Sequence, residues 1–221
     1  MIEVVEREYK VGEGTKLKIG NVNGTIKIEG YEGETIKLKA EKKWGLLGAE
    51  PKIKVKKEGN VLEIKAEQKR NFGIGIGGSS VNFEILLPKG IEIEKVENVN
   101  GSIGIKGVRR VGKVSAVNGS IVLENCFFEK ASTVNGSIKA VFSTMKGDSV
   151  ISTINGSIEV YIPRKADVEI EASGVNGKIT SELPGELKSA YGSKSFETVL
   201  GEGTHKLKIS TVNGSIVIKA L

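Results

Sequence analysis

Five residues, Val117-Asn118-Gly119-Ser120-Ile121, return as Val134 to Ile138 and again as Val212 to Ile216. Looser copies stand at Val22-Asn23-Gly24-Thr25-Ile26, Val99 to Ile103, Ile154 to Ile158 and Val175 to Ile179, where Lys178 takes the serine place. From Gly101 the glycines are spaced by 18, 17, 20 and 21 residues, then by 37 to Gly214. A period near 20 residues marks a stacked array of short units. The last interval is about two periods, as expected if one turn lost its motif or took up an insertion. The sameness extends beyond the five letters. Ser115, Ser132, Ser152, Ser173 and Ser210 each stand four residues before a motif glycine, and Ile105, Leu123, Ala140, Val160 and Ile218 each stand two past a motif isoleucine. Period-two apolar spacing predicts a strand after every motif, with its isoleucine facing inward.

Two architectures use such a motif. Asn-Gly between alternating apolar residues is a hairpin signal, with positive φ at both central residues. In a β-solenoid the same residues form a corner: each asparagine stacks on its counterpart one coil away, and glycine accepts the tight turn. Successive hairpins need no common flanks, whereas stacked coils place every flank against its copy. The repeated flanks favour coils. The expected fold is all-β: a β-solenoid over 96–221 with repeats of about 17–21 residues, continuous with a hairpin-rich N-terminal β region over 1–95. The corner residues are Asn23, Gly24, Asn100, Gly101, Asn118, Gly119, Asn135, Gly136, Asn155, Gly156, Asn176, Gly177, Asn213 and Gly214. Asn100, Asn118, Asn135 and Asn155 are expected in one line, and positive φ is the expected reason for their glycines. In the N-terminal region Ile53 and Val55 answer Leu62 and Ile64 across Glu58-Gly59-Asn60, a hairpin. Helical periodicity is confined to a short stretch near Leu187 to Tyr191.

The composition suits such a fold. Of 221 residues 38% are apolar but only 5% aromatic, so the core must be aliphatic. Lysine supplies 28 of the 33 basic residues and glutamate 25 of the 27 acids, and they alternate along most strands, as solvated β faces do. Abundant Lys and Glu with a single Gln is a thermophile-like signature. The net charge of +6 favours anionic partners only mildly. The densest basic cluster, Lys106, Arg109, Arg110 and Lys113, has no interleaved aromatic residues for base stacking, so nucleic acid is not an expected partner.

Signals for chemistry are thin. Gly73 to Gly78 spells a G-x-G-x-x-G, but a strand-like segment follows it where a dinucleotide site needs a helix, so a glycine-rich loop is expected. His205 is the single histidine, and Asp148 and Asp167 are the only aspartates, none in a nucleophile context. The lone Cys126, beside Phe127 and Phe128, is expected as a small buried hydrophobe. Zinc-type clusters and calcium-binding glycine-aspartate repeats are missing from the sequence. No metal, no cofactor and no enzymatic activity are expected. Trp44, in an apolar stretch flanked by lysines, is a candidate contact surface. The N-terminus lacks the pattern of a secretory leader, and no run approaches a membrane span. The expected location is therefore cytoplasmic, or the cell surface had a leader been removed.

"VNGTIKIEGYEGETIKLKAEKK", "VNFEILLPKGIEIEKVENVNGSIGIKG", the tandem "TVNGSI" units and the closing "LGEGTHKLKISTVNGSIVIKA" together resemble the DUF4097 family of adhesin-like β-repeat proteins, over about Tyr9 to Leu221. The resemblance implies a right-handed β-helix-like fold and an extracellular, adhesin-like role, and brings no catalytic residues. The expected function is a non-enzymatic structural or interaction scaffold. It would self-associate through an open solenoid edge, because "VNGSIVIKAL" ends the chain with no cap after it. The alternative is a binding module for a polyanion or glycan, using lysine-rich faces.

Overall fold

A computed structural model describes residues 1–46, 48–67, 78–190 and 192–221. Chain order begins with β1 (Ile2–Lys10), a first coil of β2 (Lys16–Asn23) and β3 (Ile26–Tyr31), and then β4 (Thr35–Trp44). A hairpin, β5 (Lys52–Glu58) and β6 (Val61–Glu67), precedes β7 (Ser79–Pro88). Coils follow in pairs: β8 (Glu92–Asn100) with β9 (Ile103–Lys106), β10 (Arg110–Asn118) with β11 (Ile121–Glu124), and β12 (Phe127–Asn135) with β13 (Ile138–Val141). Next come β14 (Ser149–Asn155) with β15 (Ile158–Ile162), and β16 (Val168–Asn176) with β17 (Ile179–Ser181). A second hairpin, β18 (Glu186–Ala190) and β19 (Ser193–Leu200), leads to the last coil, β20 (His205–Asn213) with β21 (Ile216–Ala220).

The strands form two sheets. Sheet A has the order β1-β4-β7-β3-β9-β11-β13-β15-β21-β17, and sheet B the order β18-β19-β16-β20-β14-β12-β10-β8-β2-β6-β5. Every motif joins a strand of sheet B to a strand of sheet A, and in the interior of the stack its neighbours on both sides are parallel copies from other coils. The motif is thus a corner between sheets, and the hairpin alternative is excluded. Asn118 pairs with both Asn100 and Asn135, and Asn135 with Asn155, so identical flanks meet because the register allows nothing else. No helix among the described residues is long and apolar enough to cross a membrane.

Alternation along each strand builds the core. The motif isoleucines Ile26, Ile103, Ile121, Ile138, Ile158 and Ile216 form one buried column from sheet A. Val96, Val114, Ala131, Ile151 and Ile209 face them from sheet B. Two aromatic rings add bulk at one edge, Phe128 and Phe142, stacked at 4.9 Å. Removing one such buried isoleucine side chain costs about 2–5 kcal/mol, since the column above and below is held in register and cannot collapse.

The stack does not follow chain order at its C-terminal end. β20 lies between β14 and β16, and β21 between β15 and β17. The 37-residue interval holds the β18–β19 hairpin, with β19 antiparallel on β16, and no lost coil. Residues 186–190 are a strand of that hairpin where the sequence suggested helical spacing, because pairing with β19 decides their conformation; Tyr191 lies outside the described residues. The C-terminal strand, expected as an open edge, is interior on both sides. At the other end β6 and β7 pair in parallel with β2 and β3 and so make a further rung. The glycine-rich residues 73–77 between them lie outside the described residues. Antiparallel strands finish this end: β5 on β6, with Val55 opposite Ile64 and Ile53 opposite Ala66, and β4 then β1 on β7.

Candidate interaction surfaces

The corner is a ladder in both side chain and backbone. Asn100 Nδ2 donates to Asn23 Oδ1 at 2.8 Å, Asn118 to Asn100 at 2.9 Å, Asn135 to Asn118 at 2.9 Å and Asn155 to Asn135 at 2.8 Å. Asn213 then donates to Asn155 and Asn176 to Asn213, both at 2.8 Å. Six amide bonds therefore run in one direction through seven asparagines, and bonds so aligned polarise one another favourably. The backbone continues the sheets around the corner, with Gly119 N bonded to Asn135 O and Ile121 N to Ser137 O.

Glycine is required here chiefly by close approach. A Cβ on Gly119 would sit 2.1 Å from Gly101 O, and one on Gly136 would sit 2.2 Å from Gly119 O. Neither Gly119 nor Gly136 is among the glycines with positive φ, so the expected left-handed turn is not the reason at these rungs. At Gly24 and Gly101, with φ of 113° and 142°, both reasons apply.

A third column escaped sequence reading. Six of the seven motif glycines give their N–H to the next coil, and their carbonyls need a donor of their own. Thr133 Oγ1 supplies one to Gly119 O at 2.9 Å, Thr153 to Gly136 O at 3.0 Å and Thr211 to Gly156 O at 3.0 Å. Asn98 Nδ2 does the same for Gly24 O at 2.7 Å. These residues stand two before the asparagine and are buried. Ala116 occupies that place opposite Gly101, and the column continues to Gly174. The signal was present as the recurring threonine of "TVNG" and "TING", hidden because Asn21, Asn98, Ala116 and Gly174 break the identity.

Outward from the core, sheet B shows ordered ranks. Val22, Val99, Val117, Val134, Ile154, Val212 and Val175 form a column of side chains between 36% and 48% exposed. Beside it run Ser115, Ser132, Ser152, Ser210 and Ser173, paired rung to rung. The next rank holds Lys18, Lys95, Lys113, Lys130, Val150, Lys208 and Glu171. Two recesses open on this face. One of about 290 Å³ lies where Gly20 takes the serine place, against Val22, Val99, Ser115 and Val117. The other, of about 400 Å³, is bordered by Lys16, Lys95, Arg110 and Lys113 and by Glu92, Glu94 and Glu129.

Sheet A carries a larger recess, about 810 Å³, where β1 and β4 join the parallel stack. Leu86, Gly104 and Val122 line its apolar part. Charges alternate across the strands there: Glu6 opposite Lys39, Lys39 opposite Glu84, and Glu84 opposite Lys27. Such opposite cross-strand pairs stabilise the sheet and leave the recess with no dominant sign.

The remaining sequence candidates are dispersed. Lys106 lines the recess on sheet A while Lys113 points out from sheet B, so the basic cluster is divided between two faces; Arg110 is paired with Glu129 at 2.7 Å. Asp148 and Asp167 both hold the backbone at the entrance to β20, where His205 stands, and so have structural roles. Asp167 Oδ1 accepts from Glu202 N at 2.9 Å and Thr204 N at 3.0 Å, and Asp148 Oδ1 accepts from Lys206 N at 2.9 Å. These donors, Thr204 foremost, hold the Asp167 carboxyl below the usual aspartate range. Burial pushes the Cys126 thiol up to about 12, which leaves no thiolate at neutral pH. Trp44 is half-buried under the Lys42 ammonium, itself paired with Glu3 and Glu50, while Leu46 beside it is 87% exposed. Among the described residues no group of His, Cys, Asp and Glu is arranged to hold a metal ion.

Comparison with known proteins agrees with this architecture. No curated protein matches the chain. Among solved structures, a candidate cell adhesion protein from Clostridium sporogenes superposes with a TM-score of 0.54 at 15% identity, covering 99% of this chain and 100% of its own. A candidate adhesin from Bacteroides fragilis gives 0.35 at 14% identity, over 99% and 97%. A candidate lipid binding protein from Parabacteroides distasonis gives 0.31 at 12%, over 99% and 96%. Only the first of these similarities supports the fold. The family model for Toastrack DUF4097 matches residues 101–219, the stretch that holds five of the seven corners whole, and the chain belongs to that family.

Proposed function

We propose that this chain is a non-enzymatic, adhesin-like interaction scaffold: a rigid stack of coils that displays regular outer faces and joins other molecules through them. The observation that carries the reading is the seven-rung corner, in which side chains, backbone and core are all locked in one register. A stiff lattice of this kind offers repeated contacts to a partner at little ordering cost. The groups that could have done chemistry support it as well, since both aspartates cap turns and the thiol is buried and protonated. Right-handed winding belongs to the same proposal and is favoured by the rule for parallel strands joined by a crossover. An exported, cell-surface location also belongs to it.

Self-association is assigned to β1. Of the four edge strands, β5 carries four lysines in seven residues, β17 has only three residues, and β18 is a short hairpin strand. β1 is nine residues long, is paired on one side only, and exposes Ile2 and Val4. Long open edges are where sheets join. Light scattering over a concentration series tests this. The wild type is expected to gain mass with concentration, and an Ile2→Lys, Val4→Lys variant to remain monomeric; a monomeric wild type at every concentration overturns the edge assignment. A second reading, a binding module for a polyanion or glycan, is favoured by the lysine rank of sheet B.

A further inference from the structure

We infer that the outer face of sheet B binds a linear acidic polysaccharide laid along the stack, across the lysine, serine and valine ranks of β10, β12 and β14. The inference rests on the scaffold reading and names the ligand class for one face of it.

The lysine rank is the starting point. Lys113 and Lys130 are directly opposite each other on neighbouring strands, a like-charge contact that weakens a sheet. Elsewhere in the rank the ammonium groups are neutralised: Lys18 by Glu94 at 3.0 Å, Lys95 by Glu97 at 2.7 Å and Lys208 by Glu171 at 3.6 Å. Lys113 and Lys130 have no ion-pair partner among the described residues. Folding gains nothing from leaving them so, whereas an anionic ligand would be held by both.

The ranks beside the lysines specify the rest of the ligand. Ser115, Ser132 and Ser152 present hydroxyls at the repeat of the strands, followed by the exposed aliphatic column of Val117, Val134 and Ile154. Hydroxyls fit the hydroxyls of a sugar, and β-branched methyl groups fit the C–H face of its ring. A single-stranded nucleic acid would call for aromatic platforms, and these three ranks hold none. Two recesses, of about 290 and 400 Å³, open beside β10 toward β8 and β2; the smaller continues the valine rank, and the larger mixes four basic residues with three glutamates.

Dimensions separate a polymer from a second copy of the protein. The whole face, seven rungs at about 4.8 Å, spans about 29 Å, and three ranks of alternate residues span about 13 Å, giving roughly 400 Å², of which the rungs of β10, β12 and β14 hold about 130 Å². A stable protein partner covers about 800 Å² on each side. The strip is long, narrow and repetitive, the shape of one extended polymer chain. Each rung contributes little, so affinity accumulates along the chain.

Binding is measured with alginate, a linear polyuronate, against a neutral linear β-glucan, double-stranded DNA and a monomeric uronate. Alginate is expected to bind and to weaken severalfold as salt rises from about 50 to about 200 mM, through screening. The monomer and the β-glucan are expected not to bind. Lys113→Gln with Lys130→Gln is expected to weaken alginate binding at least about tenfold, and Val134→Glu similarly; both sites are exposed, so unchanged melting temperatures verify the fold. Several results overturn the inference: no alginate binding at low salt, β-glucan binding as tight as alginate, DNA binding as tight as alginate, or no effect of the lysine pair. If Val134→Glu removes a dimer and leaves alginate binding intact, the face is an interface between copies and the inference falls. Failure of alginate binding with self-association through β1 retained sinks this inference alone.

Discussion

The central coils and the two ends of the stack obey different rules. In the centre, β8 to β15 are parallel, the corner asparagines and inward isoleucines sit against their own copies, and the corner glycines have no room for a Cβ. At the ends, β1, β4 and β5 on one side and β18 and β19 on the other run antiparallel, with irregular sequence and exposed faces. A parallel rung is a template for another parallel rung. Antiparallel strands cover three of the four edges with chain of a different pattern, and the fourth, β17, is only three residues long. The difference explains why the repeat can be spelled so strictly without inviting endless addition.

The largest expected effect comes from the corner glycines. Gly136→Val would push a Cβ into the Gly119 carbonyl, with backbone on both sides, and is expected to cost about 3 kcal/mol or more. Gly59→Ala, in the β5–β6 turn, meets nothing within 4 Å and opposes only a φ of 57°, for about 1 kcal/mol. Urea midpoints for the two variants measure the contrast; equal shifts would remove the distinction between centre and end.

The threonine column gives a smaller effect of either sign. Thr153→Val keeps the shape but deprives the Gly136 carbonyl of its hydroxyl donor, with an expected loss of about 1–2 kcal/mol. Ala116→Thr would supply the same bond to the Gly101 carbonyl and is expected to stabilise by about 0.5–1 kcal/mol. A destabilised Ala116→Thr protein would mean that this rung has no room for the hydroxyl.

Hydrogen exchange compares the regions without mutation. Amides of β10, β12 and β14 are expected to exchange only by global unfolding, and those of β1 and β18 by local opening, since edge strands are paired on one side and exposed. Uniform protection would show that the ends are as firmly held as the centre.

The smallest effect is a pH dependence at the entrance to the last coil. The Asp167 carboxyl is depressed in the folded protein, so its contribution is complete above the ordinary aspartate range and fades as pH falls through the lower folded value. Asp167→Asn should therefore lower stability at neutral pH and flatten the acid limb of the stability profile. An acid limb unchanged by the substitution would assign it to other carboxylates.

The corner motif was legible because it is repeated: identical residues at identical offsets are what parallel stacking demands, and seven asparagines could be named from spacing alone. The inward isoleucines and the β5–β6 hairpin follow from period-two alternation in the same way. The reason for glycine was misread at Gly119 and Gly136, because a dihedral angle is a local property while the approach of the next carbonyl is not.

Sequence by itself determined the unit: a strand, a corner and a strand, with its buried and exposed faces. Only tertiary structure decided the order in which units stack. Any parallel rung offers the same backbone bonds to a coil from anywhere in the chain, so the repeat carries no address. That is why β20 and β21 could enter between coils that precede them, turning an apparent open terminus into an interior rung. Lys113 and Lys106 are close in sequence but project from opposite sheets, while Lys130 lies beside Lys113 only through the stacking of coils.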